Sequence, residues 1–406
     1  PYSDAIIGYK GEYDRLDFYL GKMIEIYASL STVSVAGGNG VVPYTERTLF
    51  GVVSDHGLVY TPRLVSIEEQ FFKPLERDDP KKKIERWKLS ADEGGLPVIH
   101  GRDGFTRTRP LDAIMGSTAG GSYVIDLFSF SGLQGNDEAW KRHPGFHDLL
   151  KHKLLDGTVV NWIQEMNTRL KGIVDVALVR EYGPAPGAQW PKDVESVVRI
   201  FTPDRGDARI YRIRKADVAS GGADFLYRYE LIDEDRDPLG LVDAVRDYLI
   251  PSHGPSKEKV QESLRECIQS RTGCPGKKWS ELLSYTLRPD VIHQFSQLYD
   301  SDRAGTINVF PVRHVGMNTR VPGRHAGESF GEKNATMLFF GAGLKRASVQ
   351  TARNGSLPVT LYHWFVGDKT FFAPESRLSI SPADQFGYPT LLNEPAFAPI
   401  TGHETP

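Results

Sequence analysis

The stretch RTLFGVVSDHGLVYTP, residues 47–62, holds a short apolar run, Thr48 to Val53, that stops on Ser-Asp-His-Gly. A continuous β-branched and apolar run has no wet face, and such a strand reads as buried in a parallel sheet with helices covering it. In open parallel sheets, ligands bind just beyond the carboxyl ends of strands. Asp55 and His56 stand at that end, and Gly57 lets the backbone turn sharply so that both side chains come around one point. A carboxylate oxygen and an imidazole nitrogen suit zinc or a similar divalent ion. The competing reading is structural: Asp55 caps a following helix and His56 covers a strand end.

Outward from this stretch, the chain reads as α/β. Upstream, apolar residues at Tyr13, Leu16, Leu20, Met23, Tyr27 and Leu30 lie in steps of three and four, which predicts one apolar stripe on a helix. The glycines of STVSVAGGNGVVPYTE then predict a linker. Residues 76 to about 100 are charged and broken by proline and glycine, marking a solvated loop or a domain edge. Beyond them GGSYVIDLFSF, VDVALVRE, SVVRIFTP and ARIYRIRK predict strands, with residues 191–233 as an antiparallel ribbon having one wet face. SKEKVQESLRECIQS and KKWSELLSYTL predict helices, with Ser256 and Ser280 as starting residues. From about residue 306, TINVFPV and ATMLFFGAG are buried-strand candidates separated by a loop containing GRHAGES, residues 323–329. His325 lies between glycines in that loop, and a histidine there can converge on the same metal region as His56.

Composition narrows the function classes. The chain has 406 residues, of which 40% are hydrophobic and 25% charged, the balance of a globular protein of one large or two ordinary domains. A net charge of −3 provides no basic field for nucleic acid or an anionic membrane. No apolar run approaches the ~18–20 residues of a membrane helix. Cys267 and Cys274 are too few for a disulfide scaffold; they either bridge each other across CIQSRTGC or remain two thiols. The chain opens at Pro1 with neither methionine nor signal peptide, which reads as a piece of a longer or processed polypeptide.

Taken together, YDRLDFYLGKMIEIY, VVSDHG, GRHAGES, MLFFGAGLKRASV and NGSLPVTLYHWFVGD occur in an order that resembles the alkaline phosphatase superfamily, nearest its type I phosphodiesterase and nucleotide pyrophosphatase branch. Members show a "D..lG" helix, matched by Asp17 and Gly21, a "SDHGM" turn, a "GTHG" turn and a "PLLFyGPG" strand. The resemblance implies an alkaline-phosphatase-like, largely parallel central sheet flanked by helices. Residues 1–75 and 306–406 would form that core, and residues 76–305 an inserted α+β lobe bordering the active cleft. It further implies two divalent ions, zinc as a rule, and in-line hydrolysis of a phosphate-ester substrate. Asp55 and His56 match the pair that binds the ion activating the nucleophile, His325 a ligand of the other ion, and Asp4 a further ligand. The relatives mostly act outside the cytoplasm.

Departures from the family pattern are equally visible. The family's nucleophile and first metal-binding Asp lie upstream of the matched region, so the first strands of the sheet are expected from an upstream segment or another polypeptide. Ser117 and Thr118 in IMGSTAGGSY stand beside glycines but match a different region, and an ordinary tight turn is the simpler reading. Gly8 stands where the family has a second-ion histidine, and His314 could replace it only by folding inward. His143 and His147 have the i, i+4 spacing of a helical metal pair, but Pro144 between them disfavours a helix, so they read as a surface loop; His363 reads as a packed helix residue. DEDRDPLG reads as a charged turn in preference to a calcium loop. The leading function is therefore a metal-dependent phosphodiesterase or pyrophosphatase. The alternatives are a non-catalytic relative kept as a binding or structural component of an assembly, and a sulfatase or phosphonate hydrolase using the same ligands.

Overall fold

A computed structural model describes residues 2–29, 32–34, 41–43, 48–89, 112–128, 143–184, 188–214, 225–233, 236–300, 304–319, 321–341, 352–358 and 360–361. The chain separates into two compact units, Pro1–Asp55 with Thr336–Pro406, and His56–Ala335.

In the first unit the expected helix forms over Tyr2–Ser29. The expected linker instead contains a short antiparallel ribbon, Thr32–Ser34 against Val41–Pro43. The opening apolar run is the strand Leu49–Val53, and it is not the centre of a parallel sheet. It pairs antiparallel with Met337–Gly341, in a register that sets Phe50 opposite Phe340. Their rings stack at 4.9 Å, and Tyr27 of the helix meets Phe50 edge-on at 5.4 Å. The strand is half-buried beyond Leu49, as a two-stranded ribbon leaves it.

The second unit is built on a sheet of nine strands among the described residues. Their order is Cys274–Pro275, Phe225–Leu231, Asp207–Arg214, Val194–Phe201, Val174–Glu181, Ile307–Pro311, Ser122–Leu127, Ala113–Thr118 and Arg86–Leu89. Only the last two run parallel; every other neighbouring pair is antiparallel. The molecule is thus mixed α/β, but the expected largely parallel sheet is corrected. The physical reason is that burial on both faces, not strand direction, produces a continuous apolar run. Here an antiparallel sheet is covered on both sides. Val174–Glu181 is buried at every position except Asp175 and Arg180, and Ile307–Pro311 throughout.

One covering core gathers Phe71, Phe72, Trp162 and Met166 against Val179 and Ile307. The other gathers Leu264, Trp279 and Phe295 against Leu178, Ile210 and Tyr229. The helices that supply these layers begin on local signals. Asn161 accepts a hydrogen bond from the Gln164 N–H to start Trp162–Arg169, and Ser256 accepts one from the Lys259 N–H to start Lys257–Gln269, as the sequence predicts. Ser280 does not start a helix: Gly276–Leu283 follows directly from Pro275, and the Ser280 hydroxyl donates instead to Asp290 at 2.6 Å. Cys267 and Cys274 are joined as a disulfide, which resolves the two alternatives left open by spacing.

Within the first core His152 is held on both ring nitrogens: Nε2 donates to the Phe128 carbonyl at 2.9 Å, and Nδ1 accepts from the Trp162 indole at 3.0 Å. Burial holds its pKa below the ordinary imidazole value, against the opposite pull of the Phe128 bond. A depressed folded-state pKa means that the unfolded chain binds the proton more readily. Its contribution to stability is therefore complete above the unfolded value and lost as pH falls below about 6.5. Urea midpoints measured from about pH 7.5 to about pH 5.5 should fall more steeply in the wild type than in His152→Phe.

Candidate functional site

The residues that follow the apolar run are fixed by backbone bonds. In the first unit, the Ser54 N–H donates to the Thr336 carbonyl at 2.8 Å, and the Asn354 amide donates to the carbonyls of Ser54 at 2.9 Å and Asp55 at 2.8 Å. Asp55 caps no helix, since the next element is the strand Val59–Tyr60; its side chain is exposed.

In the second unit, Val59–Tyr60 pairs with Gly323–Arg324, and the Gly57 N–H donates to the Glu332 carbonyl at 2.8 Å. Gly57 is needed for close approach: a Cβ there would overlap the Gly331 carbonyl. These contacts bring His56 onto His325, with ring centres 3.9 Å apart and planes 4° from parallel. The two histidines expected to converge do meet. The His56 Nδ1 lies 3.0 Å from the Gly57 carbonyl. A carbonyl only accepts, so Nδ1 carries a hydrogen toward it and Nε2 is the nitrogen left for a ligand.

His325 is seated by a turn whose role sequence reasoning missed. Ala119 and Gly120 take positive φ values of 47° and 77° in the hairpin between Ala113–Thr118 and Ser122–Leu127. The His325 N–H donates to the Ala119 carbonyl at 3.2 Å, and a Cβ on Gly121 would overlap the His325 carbonyl. Ser117 accepts from the Gly120 N–H at 3.1 Å, and Thr118 bonds to Ser122. Both belong to this tight turn. The small residues of GSTAGG were the available signal: they mark a place where another backbone comes close.

Buried charges hold the GRHAGES loop from behind. Arg288 bonds to Glu328 and, at 2.6 Å, to Asp175 of the strand Val174–Glu181. Burial raises the Glu328 pKa, with Arg288 opposing. Burial alone would lower that of Arg288, yet Glu328 and Asp175 hold it above its ordinary value. Desolvation pushes Lys333 down to about 8, against the pull of Glu328.

The other expected residues stand elsewhere. Asp4 and Gly8 fall in the helix Tyr2–Ser29, but their side chains lie outside the described residues, as does His363. His314 is exposed at φ 69°. The surface loop expected for His143 and His147 is corrected: His147 lies in the short helix Phe146–Leu149, and both are half-buried, His143 Nδ1 2.8 Å from Asp126 and His147 Nε2 3.1 Å from buried Glu181, which Arg209 also binds. Asp237 of DEDRDPLG accepts from the Leu239 and Leu241 N–H groups, as a charged turn does. Among the described residues, no three or more His, Cys, Asp or Glu side chains gather as a metal-ion ligand set.

Gly121→Ala should lower stability by about 1–3 kcal/mol through overpacking and separate the stacked rings. Gly183→Ala, where a Cβ meets nothing within 4 Å, serves as the control. Chemical denaturation and histidine NMR of both variants check this. Comparison with protein-family models, curated proteins and solved structures gives no match.

Proposed function

We propose that this protein is a metal-dependent hydrolase of phosphoric esters, of the phosphodiesterase or pyrophosphatase type found in the alkaline phosphatase superfamily. The observation that carries the proposal is the meeting of His56 and His325 from two distant loops. Two rings in parallel planes do not aim both lone pairs at one point between them, so each ring suits an ion of its own. Ion pairs in hydrolases stand about 3.5–4 Å apart, a spacing similar to that of the rings. The Gly57 carbonyl orients His56 by the outer hydrogen bond that metal-bound histidines ordinarily make.

Two divalent ions, zinc being the expected element, would be held by a ligand set that includes His56 and His325; Asp55 and Asp4 are carboxylates that the sequence likeness alone implies. When bound they supply positive charge for the phosphoryl oxygens and activate the attacking oxygen. The chain's own residues orient the two imidazoles, and each would hold an ion through a ring-nitrogen lone pair. The family likeness rests on the SDHG and GRHAG loops and not on the sheet, whose strand directions differ from those the likeness implied.

A non-catalytic relative acting as a binding component is the second reading, favoured by Gly8 and by the lack of an assigned nucleophile. Metal content separates the two. Elemental mass spectrometry of protein purified without chelators should find about two zinc ions per chain. Bis(p-nitrophenyl) phosphate should be hydrolysed, and His56→Gln or His325→Gln should abolish that activity. A chain that takes up no zinc and cleaves neither this diester nor an aryl sulfate sinks the hydrolase reading.

A further inference from the structure

Glu332 touches both histidine-bearing loops at once. Its carbonyl accepts the Gly57 N–H at 2.8 Å, one residue beyond His56. Its carboxylate reaches the other loop: Oε2 accepts from the Ser329 hydroxyl at 2.6 Å, and Oε1 lies 3.3 Å from Nε of Arg324, one residue before His325. Arg324 is anchored in turn, its Nη1 donating to the carbonyls of Val312 at 3.0 Å and Val315 at 2.7 Å, just past the strand Ile307–Pro311. Both side chains of the pair are buried, with 4% and 0% of their surface exposed. The carboxylate also fills the space beside Gly121 and Gly327, where a Cβ would strike it. Gly121 is also the residue whose lack of a Cβ leaves room for the His325 carbonyl.

A pair in this position is not explained by stability alone. Burying two charges costs about what their attraction returns, whereas removing one partner leaves an uncompensated charge and a lost geometry. The contact between Arg324 Nε and Glu332 Oε1 is a charge contact without an aligned hydrogen bond, so its strength depends on distance more than on angle. It ties the residue before His325 to the residue whose carbonyl holds Gly57. We infer that Glu332 is a positioning residue that sets the two imidazoles face to face. Its consequence for metal affinity rests on the two-ion function proposed above; its consequence for the rings does not.

The plain structural alternative is that Glu332 only completes the capping box with Ser329 at the start of the short helix Phe330–Lys333. Ser329→Ala weakens the cap and leaves the Arg324 contact, so the two roles can be separated. The experiment is histidine-selective NMR of the metal-free chain, where stacked rings shield each other's protons. In Glu332→Ala, both His56 and His325 should lose this ring-current shift; in Ser329→Ala both should keep it, although thermal stability falls in each variant. Zinc affinity of Glu332→Ala should drop about 10–100-fold, the usual cost of losing an outer-shell contact.

Unchanged ring signals in Glu332→Ala overturn the inference, as does an equal loss in Ser329→Ala. Should the alanine variant fail to fold, Glu332→Gln keeps the size and the Ser329 bond but removes the charge. A partial loss of the ring shift then supports the inference, and none overturns it. If the wild type takes up no zinc, the two-ion function fails while the ring signals still decide the role of Glu332.

Discussion

The larger unit depends on one constraint: the strand Val174–Glu181 must be dry on both faces while hydrogen-bonded on both edges. Val176 and Leu178 enter one core, Ala177 and Val179 the other. Two layers of helix and loop are needed to satisfy it, and most of the chain from residue 56 to 335 supplies them. The exceptions on this strand matter as well. Asp175 is only partly covered, and through Arg288 it reaches Glu328 in the loop that carries His325. The centre of the sheet is thereby coupled to the loop that carries His325.

This arrangement explains how loops with little apolar content keep a defined shape. Other backbones come close at Gly57, which faces the Gly331 carbonyl, and at Gly121, which faces the His325 carbonyl, while Gly327 leaves room for the Glu332 carboxylate. Close approach removes water, so the charges behind the loops act at low dielectric and their pairing becomes geometrically demanding. Glycine gives the loops their proximity, and the buried Arg and Glu side chains give them their register.

Much of the secondary structure was legible, because its signals are local. The antiparallel ribbon over residues 191–233 was legible, though without the wet face its alternation implied, since Val197–Phe201 is buried at every position, and Ser256 announced its helix. Direction was not legible. TLFGVV and VDVALVRE look alike in sequence, yet the first forms a half-buried two-stranded ribbon with Phe340 and its neighbours, and the second is the centre of a nine-stranded sheet. An apolar run reports how much cover a strand receives, not which strand lies beside it. The site was legible to the same extent: His56 and His325 could be paired from their glycine-flanked loops. The support from Ala119–Gly121, Arg324 and Glu332 could not, since it depends on backbone proximity across distant segments.

The disulfide Cys267–Cys274 sits at one end of the sheet order. There the final strand, Cys274–Pro275, is two residues long, and Pro275 has no N–H to offer. The Trp279 indole takes the carbonyl of Tyr227 on the neighbouring strand at 2.9 Å. A large antiparallel sheet with an open border can recruit strands from other molecules and grow into aggregates. Here the crosslink ties that short border strand to the helix Lys257–Gln269 lying over it. Oxidation of one cysteine pair thus holds a cover over Leu226 and Tyr227, part of the border on which intermolecular β-pairing would otherwise nucleate.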